Sequence, residues 1–97
     1  MDQKSIEKIL KKNLPTLKAE YSVQALFLFG SYARKTETKK SDIDLLVEFA
    51  EDVDLFTFIA LKEYLQSALK KKVDLVTRDA IRPFMVSQIE RDLIRVA

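Results

Sequence analysis

The spacing of apolar residues changes character several times along this chain, and each change predicts an element. Near the amino terminus Ile6, Ile9, Leu10 and Leu14 recur at helical spacing, with Lys4, Lys8, Lys11 and Lys12 on the other side. Ser5 to Asn13 is therefore expected to be an amphipathic helix. Pro15 lacks an amide donor, which predicts a kink or a second short helix that Leu17 continues. From Val23 to Phe29 the pattern becomes a run, Ala25-Leu26-Phe27-Leu28-Phe29, as expected of a strand buried on both faces. It stops at Gly30, after which Ser31 to Arg34 reads as a helical turn and Thr36 to Lys40 as a polar loop. Ile43 to Phe49 alternates: Ile43, Leu45, Val47 and Phe49 share one face, and Asp42, Asp44, Leu46 and Glu48 the other. Asp54 is placed to cap a helix whose broad apolar face is Leu55, Phe58, Ile59, Leu61, Leu65, Ala68 and Leu69. The lysines from Lys70 close it, complementing the negative end of its dipole. Val73 to Thr77 reads as a third strand, with Asp74 and Val76 on the face opposite Val73 and Leu75. Asp79 is expected to cap a last helix that has Pro83 in its first turn and buries Met85, Ile89 and Leu93. Leu93 to Val96 closes the chain as an extended segment.

The resulting order is helix, strand, strand, helix, strand, helix. It predicts an α/β (α+β) sandwich, with helices over one face of a small sheet and acidic residues on the other, more open face. A length of 97 residues accommodates one domain, residues 1–97, and one small core.

Composition narrows the chemistry. With no cysteine and no histidine, thiolate and imidazole are excluded as nucleophiles, bases or ligands. Any catalysis falls to carboxylates, hydroxyls, lysine or arginine. No apolar run approaches the ~20 residues that span a bilayer, and no early apolar stretch suggests a leader. A cytoplasmic location without membrane contact is expected. The net charge of +2 is modest, and the lysines at 11, 12, 39, 40 and 70–72 form no continuous stripe, so direct nucleic-acid binding is not expected.

Three features carry candidate chemistry. Glycine can simply end a strand, but Gly30-Ser31 also suits close approach of backbone and hydroxyl to a phosphate. Asp42-Ile43-Asp44 can be a solvated turn. However, residues two apart on a strand share a face, and two carboxylates within about 7 Å repel each other unless a cation such as Mg²⁺ intervenes. Asp74 interrupts the apolar strand Val73-Asp74-Leu75-Val76. It either pairs with a lysine or, if the third strand lies beside the second, joins Asp42 and Asp44 as metal ligand or base.

Taken together, Leu28-Phe29-Gly30-Ser31-Tyr32-Ala33-Arg34, a polar loop, and Ser41-Asp42-Ile43-Asp44-Leu45-Leu46-Val47 closely resemble the signature of the DNA polymerase beta-like nucleotidyltransferase superfamily. The likeness is to its minimal nucleotidyltransferase (MNT) proteins. It extends through the helix from Asp54, Lys72 to Val76, and Ile81-Arg82-Pro83. The resemblance implies a mixed sheet with helices on one side. It implies that Gly30 and Ser31 hold the phosphates of ATP and that Asp42, Asp44 and Asp74 form an acidic triad around Mg²⁺. Arg34 matches a basic position that contacts a phosphate or an acidic partner. One departure is Lys35, where relatives usually have glycine; a positive φ is less accessible there.

The resemblance further implies an antitoxin that transfers AMP to a tyrosine of a HEPN-family ribonuclease toxin. A different class of function also fits: a non-catalytic binding module that neutralises its partner by occlusion, using exposed apolar residues such as Phe56, Phe84 or Met85. The residues leave nucleotide preference, metal count and oligomeric state open.

Overall fold

In the computed structural model, which describes residues 1–80 and 83–97 (for residues 83–86 and 88 the backbone alone), the chain opens with helix α1, Gln3–Lys12. The helix starts two residues before the predicted Ser5 because Asp2 caps it, its carboxylate accepting from the Ser5 amide at 2.9 Å. Lys11 and Lys12 lie in its last turn. Pro15 sits in the first turn of a second helix, α2 (Leu14–Tyr21), where no amide donor is needed.

Strand β1 (Val23–Phe29) leads into the short helix α3 (Gly30–Arg34). Strand β2 (Ile43–Phe49), helix α4 (Leu55–Leu69) and strand β3 (Val73–Thr77) follow. All three strands have the bounds predicted from alternation and flanking turns. Asp54 caps α4 as expected, accepting from the Thr57 amide at 2.8 Å. A 3-10 turn (Arg78–Ala80) includes Asp79, and α5 (Pro83–Asp92) precedes β4 (Ile94–Arg95). Ile81 and Arg82 lie outside the described residues, as do the side chains of Pro83, Phe84 and Met85.

The sheet has the order β3-β2-β1-β4. β1 is antiparallel to both β2 and β4, whereas β2 and β3 are parallel, joined by the crossover helix α4. The sheet is thus mixed. Leu26 and Leu28 of β1, Ile43, Leu45 and Val47 of β2, and Val73 and Leu75 of β3 join one core with Ile6, Leu10 and Leu17 of α1 and α2 and Leu61, Leu65 and Leu69 of α4. An irregularity in register between Val23 and Ala25 lets Val23 also join that core, despite the strict alternation of the strand.

The opposite face carries Asp44 and Glu48. Away from the carboxylate end it is covered: Leu46 is fully buried, and α5 packs against β1 and α3. Arg78 lies over the Phe27 ring on this face and reaches both Glu48 and Glu90 of α5.

The apolar positions of α4 do not act as one buried face. Leu61, Leu65 and Leu69 are buried, but Leu55, Phe56 and Ile59 are exposed by 69%, 82% and 45%. Helical periodicity places these residues on a helix, but whether the first turns meet a neighbour depends on where the rest of the chain lies.

Candidate active site

The sole glycine stands where β1 ends and α3 begins, at φ +73. A Cβ there would overlap the Asp44 carboxylate, so any other side chain would displace one of the two. Elsewhere the fold manages left-handed positions without glycine: Ser22, Lys35 and Lys70 have φ of 55, 61 and 54. Those three end helices, a place glycine commonly fills. Glycine is thus used where close approach demands it, and not merely where the backbone turns.

Lys35, which stands where the motif usually has glycine, is one of these three positions. It adopts the left-handed conformation as the cap of α3, and the Thr36 amide closes the turn onto the Ser31 carbonyl at 2.9 Å. A side chain in that region costs about 1 kcal/mol.

Strand pairing assembles the carboxylates. In the parallel register Asp44 stands opposite Asp74, and in the antiparallel register Phe29, which precedes Gly30, stands opposite Asp44. Asp44 is half-buried, whereas Asp42, just ahead of β2, and Asp74 are exposed. Burial pushes the Asp44 carboxyl up to about 6, helped by the charges of Asp74 and Asp42. Hydrogen bonding to the Asp74 side chain adds a smaller upward push, while the Arg34 charge pulls the other way. The alternative for Asp74, a salt bridge to a lysine, is absent among the described residues.

As the side chains stand, no three Asp or Glu residues among those described are gathered tightly enough to hold a metal ion. The donor set nevertheless suits a divalent cation. It offers hard carboxylate oxygens that repel one another, and a cation would relieve that repulsion. Asp42, Asp44 and Asp74 are the residues that would hold it.

Ser31, on the first turn of α3, is partly exposed beside Gly30. Arg34 is committed within the chain: its Nη1 donates to Asp92 Oδ2 at 2.8 Å, tying α3 to α5. Asp92 carries no local signal for this role, being 58 residues away in sequence. Lys39 and Lys71 also converge, the Lys71 ammonium donating to the Lys39 carbonyl at 3.0 Å. With Tyr32, Glu37 and Thr38 they line a basin of about 470 Å³. In the sequence they read as ordinary surface lysines, because their meeting depends on the β2–β3 pairing.

Comparison with known proteins fits this geometry. The family model for the nucleotidyltransferase domain matches residues 4–96. A protein of Methanocaldococcus jannaschii, named as a candidate protein adenylyltransferase, is 49% identical over 92 residues, covering 94% of each chain. Among solved structures, a toxin–antitoxin complex with AMP-PNP contains a chain with TM-score 0.70 and 30% identity, matched over 100% of this chain and 73% of that one. Another, of tri-AMPylated Shewanella oneidensis HEPN toxin with its MNT antitoxin, gives TM-score 0.60 at 29% identity, over 97% of this chain and 67% of that one.

Proposed function

The chain belongs to the nucleotidyltransferase domain family, and from that premise we propose that it is a Mg²⁺-dependent protein adenylyltransferase that moves AMP from ATP to a tyrosine hydroxyl of a HEPN-type ribonuclease toxin, acting as its antitoxin. The observation that carries this reading is the meeting of Gly30, Asp44 and Asp74 at one end of the sheet. The AMPylated toxin found with a similar MNT chain supports the choice of acceptor.

The roles follow from position. Gly30 and Ser31 receive the phosphates: the missing Cβ of Gly30 lets the Asp44 carboxylate sit against the bend, and the partly exposed Ser31 hydroxyl beside it is free to donate to a phosphate oxygen. Asp42, Asp44 and Asp74 would hold Mg²⁺, which would supply charge neutralisation for the triphosphate and for the oxygens that exchange at phosphorus. Asp74, the exposed member next to Asp44, takes the proton of the acceptor hydroxyl. The tyrosine oxygen bonds to the α-phosphorus, the bond from that phosphorus to the bridging oxygen breaks, and pyrophosphate leaves. Asp42 and Asp74 are exposed, so a docked partner both supplies the acceptor and closes the site against water.

Occlusion without catalysis is the second reading, and the exposure of Phe56 favours it. One experiment separates the two. Purified active toxin is mixed with this protein, Mg²⁺ and ATP, and its intact mass is measured together with its ribonuclease activity. The transferase reading expects added AMP and loss of ribonuclease activity, both abolished by Asp42→Asn with Asp44→Asn. An unmodified toxin that is still inhibited by the double variant would establish occlusion instead.

A further inference from the structure

A groove of about 660 Å³ opens at the end of the sheet remote from Asp44 and Asp74. Because β2 and β3 are parallel, the carboxylates mark their beginnings, and the groove lies where Phe49 and Thr77 end them. Val47, Phe49, Val53 and Phe58 give it part of its lining. Leu55 lines it as well, and Phe56 and Ile59 extend the apolar surface along α4 into solvent. A soluble domain rarely leaves large apolar side chains side by side on adjoining helical turns without a use for them.

The rim is acidic. Glu48, Glu51, Asp52, Asp54 and Asp79 line the groove, against one cation among its described lining residues, Arg78. Arg78 is already engaged, its Nε donating to Glu48 at 3.0 Å and its Nη1 to Glu90 at 2.9 Å. The carboxylates of Glu51, Asp52, Asp54 and Asp79 are left without a cationic partner among the described residues.

We propose that this groove and the exposed first turns of α4 dock an amphipathic helix of a partner protein, its apolar stripe flanked by lysine or arginine. Charge complementarity chooses the occupant: a lining of apolar side chains and carboxylates, continued by the bare apolar residues of α4, matches an apolar stripe flanked by basic residues. A second copy of this chain fits less well. Its lysine-rich helix is α1, but Ile6 and Leu10 on that helix are buried in the core, so α1 has no apolar stripe to offer. The proposal stands apart from the transferase reading, because it uses none of the carboxylates at the other end of the sheet.

The test uses two synthetic amphipathic helices, one of leucine and lysine and one of leucine and glutamate. Binding is followed by fluorescence anisotropy, and the site is mapped by amide shifts in the isotopically labelled protein. The lysine peptide should bind and shift Val53, Leu55, Phe56 and Asp79 while leaving Gly30 and Asp44 unmoved. The glutamate peptide should bind roughly tenfold more weakly or not at all. Phe56→Asp and Ile59→Asp should each weaken the lysine peptide by roughly tenfold, as loss of an apolar anchor does. Both residues are exposed, so their melting temperatures should stay at the wild-type value, which shows that a loss of binding is not a loss of fold. Equal binding of the two peptides, indifference to both substitutions, or shifts confined to the carboxylate end would each overturn the proposal. A dimer seen by sedimentation without peptide and abolished by Phe56→Asp would overturn it too, assigning the surface to a second copy.

Discussion

Asp44 and Asp74 stand opposite each other on parallel strands, so two like charges share one end of the sheet. The Asp44 carboxyl is raised from 3.8 to about 6, first by burial and then by its acidic neighbours. A carboxyl raised in the folded state favours folding when protonated. That contribution is complete below pH 3.8 and is lost as the pH rises to about 6. In a chelating buffer, wild-type stability should therefore fall across this window relative to Asp44→Asn. Above it the variant should be the more stable by about 1 kcal/mol, allowing for solvent screening at a half-buried site. Denaturant melts at a series of pH values measure this. Mg²⁺ should recover the difference for the wild type alone, and identical curves with and without it would remove the metal from the proposed site.

Gly30→Ala puts a methyl group where the Asp44 carboxylate lies, at a positive φ. A loss of about 1–3 kcal/mol in stability is expected, together with a fall in transferase rate on the order of 10²-fold from the displaced carboxylate. Adding Asp44→Ala should restore part of the stability and none of the rate. Simple additivity of the two stability changes in a double-mutant cycle would show that the residues do not compete for space.

Lys35→Gly should move stability the other way. Lys35 holds φ 61 at the end of α3, and glycine takes that conformation freely. A gain of about 0.5–1 kcal/mol in chemical denaturation is expected, with the transfer rate unchanged. A loss of stability would mean that the lysine side chain contributes more than its backbone costs.

For Arg34 and Asp92, partly exposed at 2.8 Å, the coupling in a double-mutant cycle should be about 0.2–1 kcal/mol. If Arg34 leaves Asp92 for a phosphate, ATP with Mg²⁺ should reduce that coupling, and Arg34→Ala should raise KM for ATP more than Asp92→Ala does. Equal effects on KM would make the arginine a tether between α3 and α5 only.

The candidate site was legible unevenly. Gly30, Asp42 and Asp44 were visible because a strand end, a bend and a same-face pair are local in the chain. Asp74 was visible only as an acid out of place in an apolar strand, and its partner awaited the strand pairing. Arg34 was found by motif, but Asp92 was not, since nothing within a turn or two of either residue signals the other. Phe56 was offered as an exposed interface residue with core packing as the alternative, and the structure decides for exposure. Phe84 and Met85, offered with it, lie outside the described side chains.

By itself the sequence determined the three long strands, the Asp54 cap, the break at Pro15 and the acid-bearing face. These are set by side-chain period and backbone chemistry over a few neighbouring residues. Tertiary structure alone decided that Asp74 stands opposite Asp44, that Arg34 is held by Asp92, and that the first turns of α4 remain bare. Each is a relation between segments far apart in the chain, and the free energy that selects it comes from packing the whole sheet and its helices together, which no local pattern encodes.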